Sequence, residues 1–175
     1  MKIINYEFKA VAKDIDLLEQ KLQLLNPVYK GEDHQIDTYF NVPNGRLKLR
    51  EGNIENSLIY YERPDTADAK QSDVLLYEHA NSTILKEILI KLHGLKVVVD
   101  KTRRIYFIDN VKFHFDRVKD LGTFVEVEAQ SDASDADIKQ LQAQCTQYFQ
   151  LFELNTLDYI HLSYSDLLPD FGKVK

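Results

Sequence analysis

The chain predicts an α+β fold, an antiparallel sheet of roughly eight strands interrupted by three amphipathic helices, and three observations carry this. Several segments alternate charged and apolar residues at the period of two that marks a strand: Phe124-Val125-Glu126-Val127-Glu128, Arg46-Leu47-Lys48-Leu49-Arg50, Lys112-Phe113-His114-Phe115-Asp116, and Glu7 and Lys9 about Phe8. Three other segments space their apolar residues as a helix does. The strands also come in consecutive antiparallel runs, which favours α+β over a doubly wound fold. Charge on one face and grease on the other fits either an open sheet with one wet side or a closed barrel with a charged lumen and an apolar wall. Only the second implies an interior site.

Residues 2–10 read as the first strand, and Ile15, Leu18, Leu22 and Leu25 give a helix that Asn26-Pro27 ends. Residues 34–43 and 46–52 form a hairpin through Pro43-Asn44-Gly45, where asparagine and glycine tolerate the positive φ of a tight turn. Two strands follow at 56–63 and 72–80, around the polar Pro64-Asp65-Thr66-Ala67-Asp68. The second helix has Ser82 as its cap, Ile84, Leu85, Ile88, Leu89 and Leu92 as its apolar positions, and Gly94 at its exit. Residues 96–108, 110–118 and 122–130 are three consecutive strands turning at Asp109-Asn110 and near Leu121-Gly122. A third helix runs from about Ser134 with Ile138, Leu141, Cys145, Tyr148 and Phe149 on one side, where Cys145 is a small core residue rather than a nucleophile.

At 175 residues the chain suits a single domain spanning 1–175. A net charge of -6 gives no general attraction to nucleic acid or anionic membrane, so its basic clusters point to a small anionic ligand. The single cysteine excludes an internal disulfide, and Met1-Lys2-Ile3-Ile4 turns polar too soon for a signal peptide. A cytoplasmic protein, monomeric or homodimeric, is expected.

Five segments then acquire meaning together: Asn5-Tyr6-Glu7-Phe8-Lys9; Asp37-Thr38-Tyr39-Phe40 with Leu47-Lys48-Leu49-Arg50-Glu51; Val99-Asp100-Lys101-Thr102-Arg103-Arg104; Leu121-Gly122-Thr123-Phe124-Val125-Glu126-Val127-Glu128; and Ser163-Tyr164-Ser165-Asp166-Leu167-Leu168. In this order the chain resembles, over about residues 3–168, the CYTH family of class IV adenylyl cyclases, thiamine triphosphatases and inorganic triphosphatases, also called triphosphate tunnel metalloenzymes. The resemblance implies a closed antiparallel eight-stranded barrel around a tunnel. It implies phosphate-binding cations at Lys9, Lys48, Arg50, Lys101 and Arg103, which Arg46 could join from the same face, and metal-binding carboxylates at Asp116, Glu126 and Glu128 with Glu7. Mg²⁺ or Mn²⁺ suits such hard oxygen donors, and a triphosphate carrying roughly four negative charges needs both the cations and the metal.

Two departures bear on the chemistry. The family's opening Glu-x-Glu-x-Lys here begins with Asn5, leaving Glu7 and Lys9. The family lysine near the end of the fourth strand is absent from Leu58-Ile59-Tyr60-Tyr61-Glu62-Arg63-Pro64, so Arg63 stands as its replacement, able to grip phosphate but a poorer proton carrier. Glu7, Lys9 and Arg63 are the expected catalytic residues. The expected function is class IV adenylate cyclase, turning ATP into cyclic AMP and pyrophosphate; the alternatives are a triphosphatase acting on inorganic, nucleoside or thiamine triphosphate and a non-catalytic nucleotide or polyphosphate binder. Local readings remain for single residues: Glu126 and Glu128 suit a solvated sheet face, Arg46, Lys48 and Arg50 a protected edge strand, Glu7 and Lys9 a cross-strand ion pair, Arg104 a solvated position opposite Arg103, and His114 a polar neighbour or proton carrier.

Overall fold

The structure is a computed structural model that describes residues 2–62, 70–80, 83–132, 134 and 137–169. The elements are β1 (Lys2–Val11), α1 (Ile15–Gln23), β2 (Val28–Phe40), β3 (Arg46–Glu51), β4 (Ser57–Glu62), β5 (Lys70–Glu78), α2 (Thr83–His93), β6 (Leu95–Ile108), β7 (Val111–Val118), β8 (Gly122–Asp132), α3 (Ile138–Leu151) and a short α4 (Tyr164–Leu167). The strands close into an antiparallel barrel in the order β1-β5-β4-β3-β2-β6-β7-β8, with β8 returning to β1. Closure removes the edges that an open sheet would expose.

What decides which face turns inward is the location of the grease. The apolar positions of β1, β7 and β8, among them Phe8, Phe113, Phe115, Val125 and Val127, face outward and meet Leu18 and Leu22 of α1 and Leu141, Cys145 and Tyr148 of α3. On the other side Leu85 and Leu89 of α2 cover Phe40, Leu47, Leu49 and Leu58. Each such buried side chain is worth about 1.5–3 kcal/mol, and the helices can supply that cover only from outside the wall. The alternating charged positions are thereby forced into the lumen. Cys145 sits in the outer core with its thiol on the Tyr6 carbonyl oxygen at 3.0 Å, and burial pushes its pKa up to about 12.

One end of the lumen is apolar. Tyr39, Val97, Val99, Val118 and Phe124 converge there with Tyr164 of α4, and Ile160 bonds the Lys9 carbonyl oxygen at 2.8 Å, so the C-terminal segment caps that end. Ser163 and Asp166 form a reciprocal capping box that nucleates α4 within the cap.

The expected and observed elements differ in instructive places. β2 begins at Val28 rather than at 34, because 28–33 pair with β6 around a bulge between Tyr29 and Gly31 that its glycine and charges disguised. α1 stops at Gln23 and the chain leaves through Asn26 at φ 54, which exposes Leu25 instead of burying it. α3 starts at Ile138, where Asp137 accepts the amides of Lys139 and Gln140, rather than at 134. Ser82 lies outside the described residues, whereas Gly94 does take the left-handed exit at φ 73.

Candidate functional site

Alternation along each strand delivers the inward residues in rows. β1 offers Asn5, Glu7 and Lys9; β3, Lys48 and Arg50; β6, Lys101 and Arg103; β7, Lys112 and His114; β8, Glu126 and Glu128, and all of them line one cavity of ≈ 540 Å³. Cations and carboxylates are interleaved around it, nearly one for one, and they sort into three groups.

The first group is organised by Asp37 of β2. Its carboxylate, 1% exposed, receives Arg50 Nε at 2.9 Å and Nη2 at 3.0 Å, Lys101 Nζ at 2.6 Å and Lys48 Nζ at 3.2 Å. Burial would raise its pKa, but Arg50, Lys101 and Lys48 outweigh that and hold it well below the carboxylate range. Burial pushes Lys101 down to about 7, only partly opposed by Asp37, with the neighbouring Arg50, Arg103 and Lys48 adding to the shift.

The second group is centred on Arg103. Asp116 accepts its Nε and Nη2, each at 2.6 Å, and also the Tyr164 hydroxyl at 2.8 Å; Glu126 accepts Nη2 at 2.8 Å. Lys9 closes the group, 3.2 Å from Glu126 and with its ammonium 4.0 Å from the centre of the Tyr164 ring. Both oxygens of Asp116 are thus engaged in holding Arg103.

The third group can hold a metal. One donor atom each from His114, Glu126 and Glu128 lie within 4.8 Å of one another, and Glu7 stands opposite Glu128 in the β1–β8 register. Burial, with Arg103 and Lys112 nearby, lowers the His114 pKa to about 3, so the imidazole is neutral and able to donate a lone pair. Burial and the Glu126 charge raise Glu128 to about 7, whereas burial at Glu126 is overcome by Lys9, His114 and Arg103, which hold it well below the usual range. His114 Nε2 is buried with no partner. A divalent ion accepting one nitrogen and several carboxylate oxygens fits this donor set, and Mn²⁺ is more at ease with an imidazole than Mg²⁺.

The sequence-predicted residues are therefore mostly brought together, with three exceptions. Arg46 does not line the cavity; its Nη2 bonds Asp166 of α4 at 2.8 Å and so anchors the cap. Asp116 lies beneath Arg103 rather than among the clustered donors. Arg63 falls outside the described residues. Arg104 faces outward as expected, yet it pairs with Asp16 and Glu19 of α1 instead of standing in solvent. Asn5, at the place of the missing acid, lines the cavity with its Oδ1 buried and unpartnered opposite Ser72.

Sequence reasoning missed Asp37, Lys112 and Glu55 as site residues. The first two had a signal: a hairpin turning at Asn44-Gly45 pairs Asp37 with Arg50, and Lys112 shares a strand face with His114. Glu55 had none, because it sits in the β3–β4 connection.

Comparisons with known proteins accord with this architecture. Residues 4–162 match the family profile described as CYTH domain. Among solved structures the chain is similar to the PH1012 protein of Pyrococcus horikoshii OT3, at 23% identity and TM-score 0.82 over 94% of this chain and 99% of that one. A candidate adenylate cyclase of Vibrio parahaemolyticus gives 19% identity and TM-score 0.74, covering 94% and 97%. A candidate adenylyl cyclase of Hippeastrum, whose structure is described as revealing a dominant triphosphatase activity, gives 14% and 0.58, covering 93% and 91%. At such identities the likeness shows the fold. No curated protein matches.

Proposed function

Because the chain belongs to the CYTH domain family, we propose that it is a divalent-metal-dependent enzyme that takes ATP into the barrel, where the ribose 3′-hydroxyl attacks the α-phosphorus, loses its proton and displaces pyrophosphate to close cyclic AMP. The observation that carries this is the convergence, inside one closed lumen, of Lys9, Lys48, Arg50, Lys101, Arg103 and Lys112 with the donor group of His114, Glu126 and Glu128. Phosphoryl transfer needs positioning and charge neutralisation more than covalent participation by the protein, and this lining supplies both. A nucleotide is favoured over bare inorganic triphosphate because Ile3, Ile54, Ile59, Val74 and Leu76 give the same cavity an apolar stretch on which a base and ribose can lie. The dominant triphosphatase activity described for the similar Hippeastrum protein supports hydrolysis as the second reading.

Glu126, Glu128 and His114 would hold the cation, with Glu7 across the strand pair. A bound divalent ion would neutralise phosphoryl oxygens and lower the cost of charge building up on them. Lys48 and Arg50 would grip the phosphate chain from β3 and Lys9 from β1, while Asp116 keeps the Arg103 guanidinium aimed into the lumen through two parallel hydrogen bonds. Asp37 would hold Arg50, Lys48 and Lys101 at one spacing, so that the cationic row is formed before ligand arrives. The capped end forces the ligand to enter from the opposite mouth, and a cytoplasmic setting would supply ATP.

The reaction type is tested by incubating the purified protein with Mg²⁺ or Mn²⁺ and, separately, ATP, inorganic triphosphate and thiamine triphosphate. Cyclic AMP with pyrophosphate is expected from ATP; orthophosphate alone would overturn cyclisation, and tight binding without product would reduce the protein to a sensor. Metal binding carries its own pH signature. A proton occupies Glu128 below about 7 and must leave for the ion to bind, so Mn²⁺ affinity rises about tenfold per pH unit up to pH 7 and levels off above it. Calorimetric titration from pH 5.5 to 8.5 measures this, and a flat profile would count against Glu128 as a donor.

A further inference from the structure

The β3–β4 connection is built as a rigid arch. Asp33 of β2, fully buried, accepts the backbone amides of Asn53 at 2.6 Å, Ile54 at 2.9 Å and Glu55 at 3.0 Å, and the Gln35 side-chain amide at 2.7 Å. Gly52 lies so close over Asp33 that a Cβ there would stand 2.7 Å from both carboxylate oxygens. A connection with this many fixed amides is held in place, and what it holds is Glu55.

The Glu55 side chain reaches into the lumen. Its Oε2 accepts Arg50 Nη1 at 2.9 Å and Gln35 Nε2 at 3.1 Å, and its Oε1 meets Lys112 Nζ. Arg50 has already committed Nε and Nη2 to Asp37, so Nη1 is the edge left for an incoming anion, and Glu55 sits on it. Lys112, the second cation that Glu55 takes, pairs in register with Glu128 of the donor group. Burial of Glu55 is overcome by Lys112 and Arg50, which hold its pKa far below the carboxylate range, so it stays an anion at every physiological pH.

We propose that Glu55 is a tethered stand-in for a phosphoryl group: it occupies Arg50 and Lys112 while the lumen is empty of ligand, and a polyphosphate binds by displacing it. The device sets a threshold. A singly charged phosphate ester or a carboxylate gains too little from Arg50 and Lys112 to dislodge an anion that is bonded to both and fixed by the arch. A chain of phosphoryl groups can, because its other charges are engaged by Lys48 and Lys9 at the same time. Glu55 thus raises the affinity a ligand must bring to fill the site at a given concentration, a threshold that long polyanions pass, and this refinement rests on the triphosphate reading above.

Isothermal titration with inorganic tripolyphosphate and with pyrophosphate, in the absence of metal, tests it. Glu55→Gln keeps the shape and removes the competing charge, so both ligands should bind about tenfold more tightly. Glu55→Asp, which keeps the charge but is too short to reach both cations, should fall between the two and guards against a folding defect in the first variant. Binding that Glu55→Gln leaves unchanged or weakens overturns this inference alone, since Glu55 would then be a support for Arg50 and Lys112. Absence of binding by wild type and both variants, without metal and again with Mn²⁺ added, overturns the triphosphate reading and this inference with it.

Discussion

Glu128→Gln is expected to remove divalent-metal binding and, with it, turnover of the triphosphate by roughly a thousandfold or more, without loss of the barrel. The second half of that expectation follows from where the proton sits. With its pKa raised to about 7 by burial and the Glu126 charge, Glu128 in the metal-free protein is mostly neutral below pH 7 and half ionised at it, and glutamine imitates the neutral form. A carboxyl whose folded pKa lies above its unfolded value contributes stability that is complete below about pH 4.5 and is lost as pH rises through 7. At neutral pH the native residue is therefore a liability in the apo protein, and the variant should melt at the same temperature or slightly higher. Glu126→Gln is a different case: it abolishes turnover too, but leaves Lys9 and Arg103 short of a buried counter-charge. Thermal melts beside metal titrations separate the two, and full activity in the double variant would remove both residues from the mechanism.

Asp37→Asn should cost more stability than any other single change in the lumen. Lys101, Arg50 and Lys48 all converge on this carboxylate, and deleting one partner of a buried charge cluster typically costs about 3–5 kcal/mol because the remaining charges cannot be solvated. For a chain of this size each kcal/mol moves the melting temperature by about 2–4 °C, so a fall on the order of 10 °C is expected. Tripolyphosphate should restore part of the loss, since its charges replace the one removed and a ligand that binds only the folded state stabilises it. A melting temperature within 2–3 °C of wild type would mean that Asp37 is not the counter-ion the geometry makes it.

How much of this was legible beforehand can be traced residue by residue. The inward rows were readable because a strand alternates strictly: once Val125 and Val127 are greasy, Glu126 and Glu128 share the other face, and Lys48 and Arg50 do likewise. The helices were readable from their stripes, and their boundaries less so, because a cap such as Asp137 or a φ of 54 at Asn26 depends on a few local hydrogen bonds rather than on period. Asp116 looked like one more inward carboxylate. Alternation could not tell that its two oxygens would close on Arg103 across the β6–β7 register.

By itself the sequence determined the secondary elements, the side of each strand that carries charge, and the types of residue available to hold a polyanion and a cation, since all of these follow from near-neighbour spacing along the chain. Only the tertiary structure decided that β1 lies between β5 and β8, that the C-terminal segment caps one end, and that Asp37, Arg103 and Glu55 become the centres around which the charges pair. The physical reason is distance. Pairings such as Lys101 with Asp37, or Lys112 with Glu55, join residues far apart in the chain, and which charge meets which is fixed by barrel closure and by the cost of leaving any of them unpaired out of water.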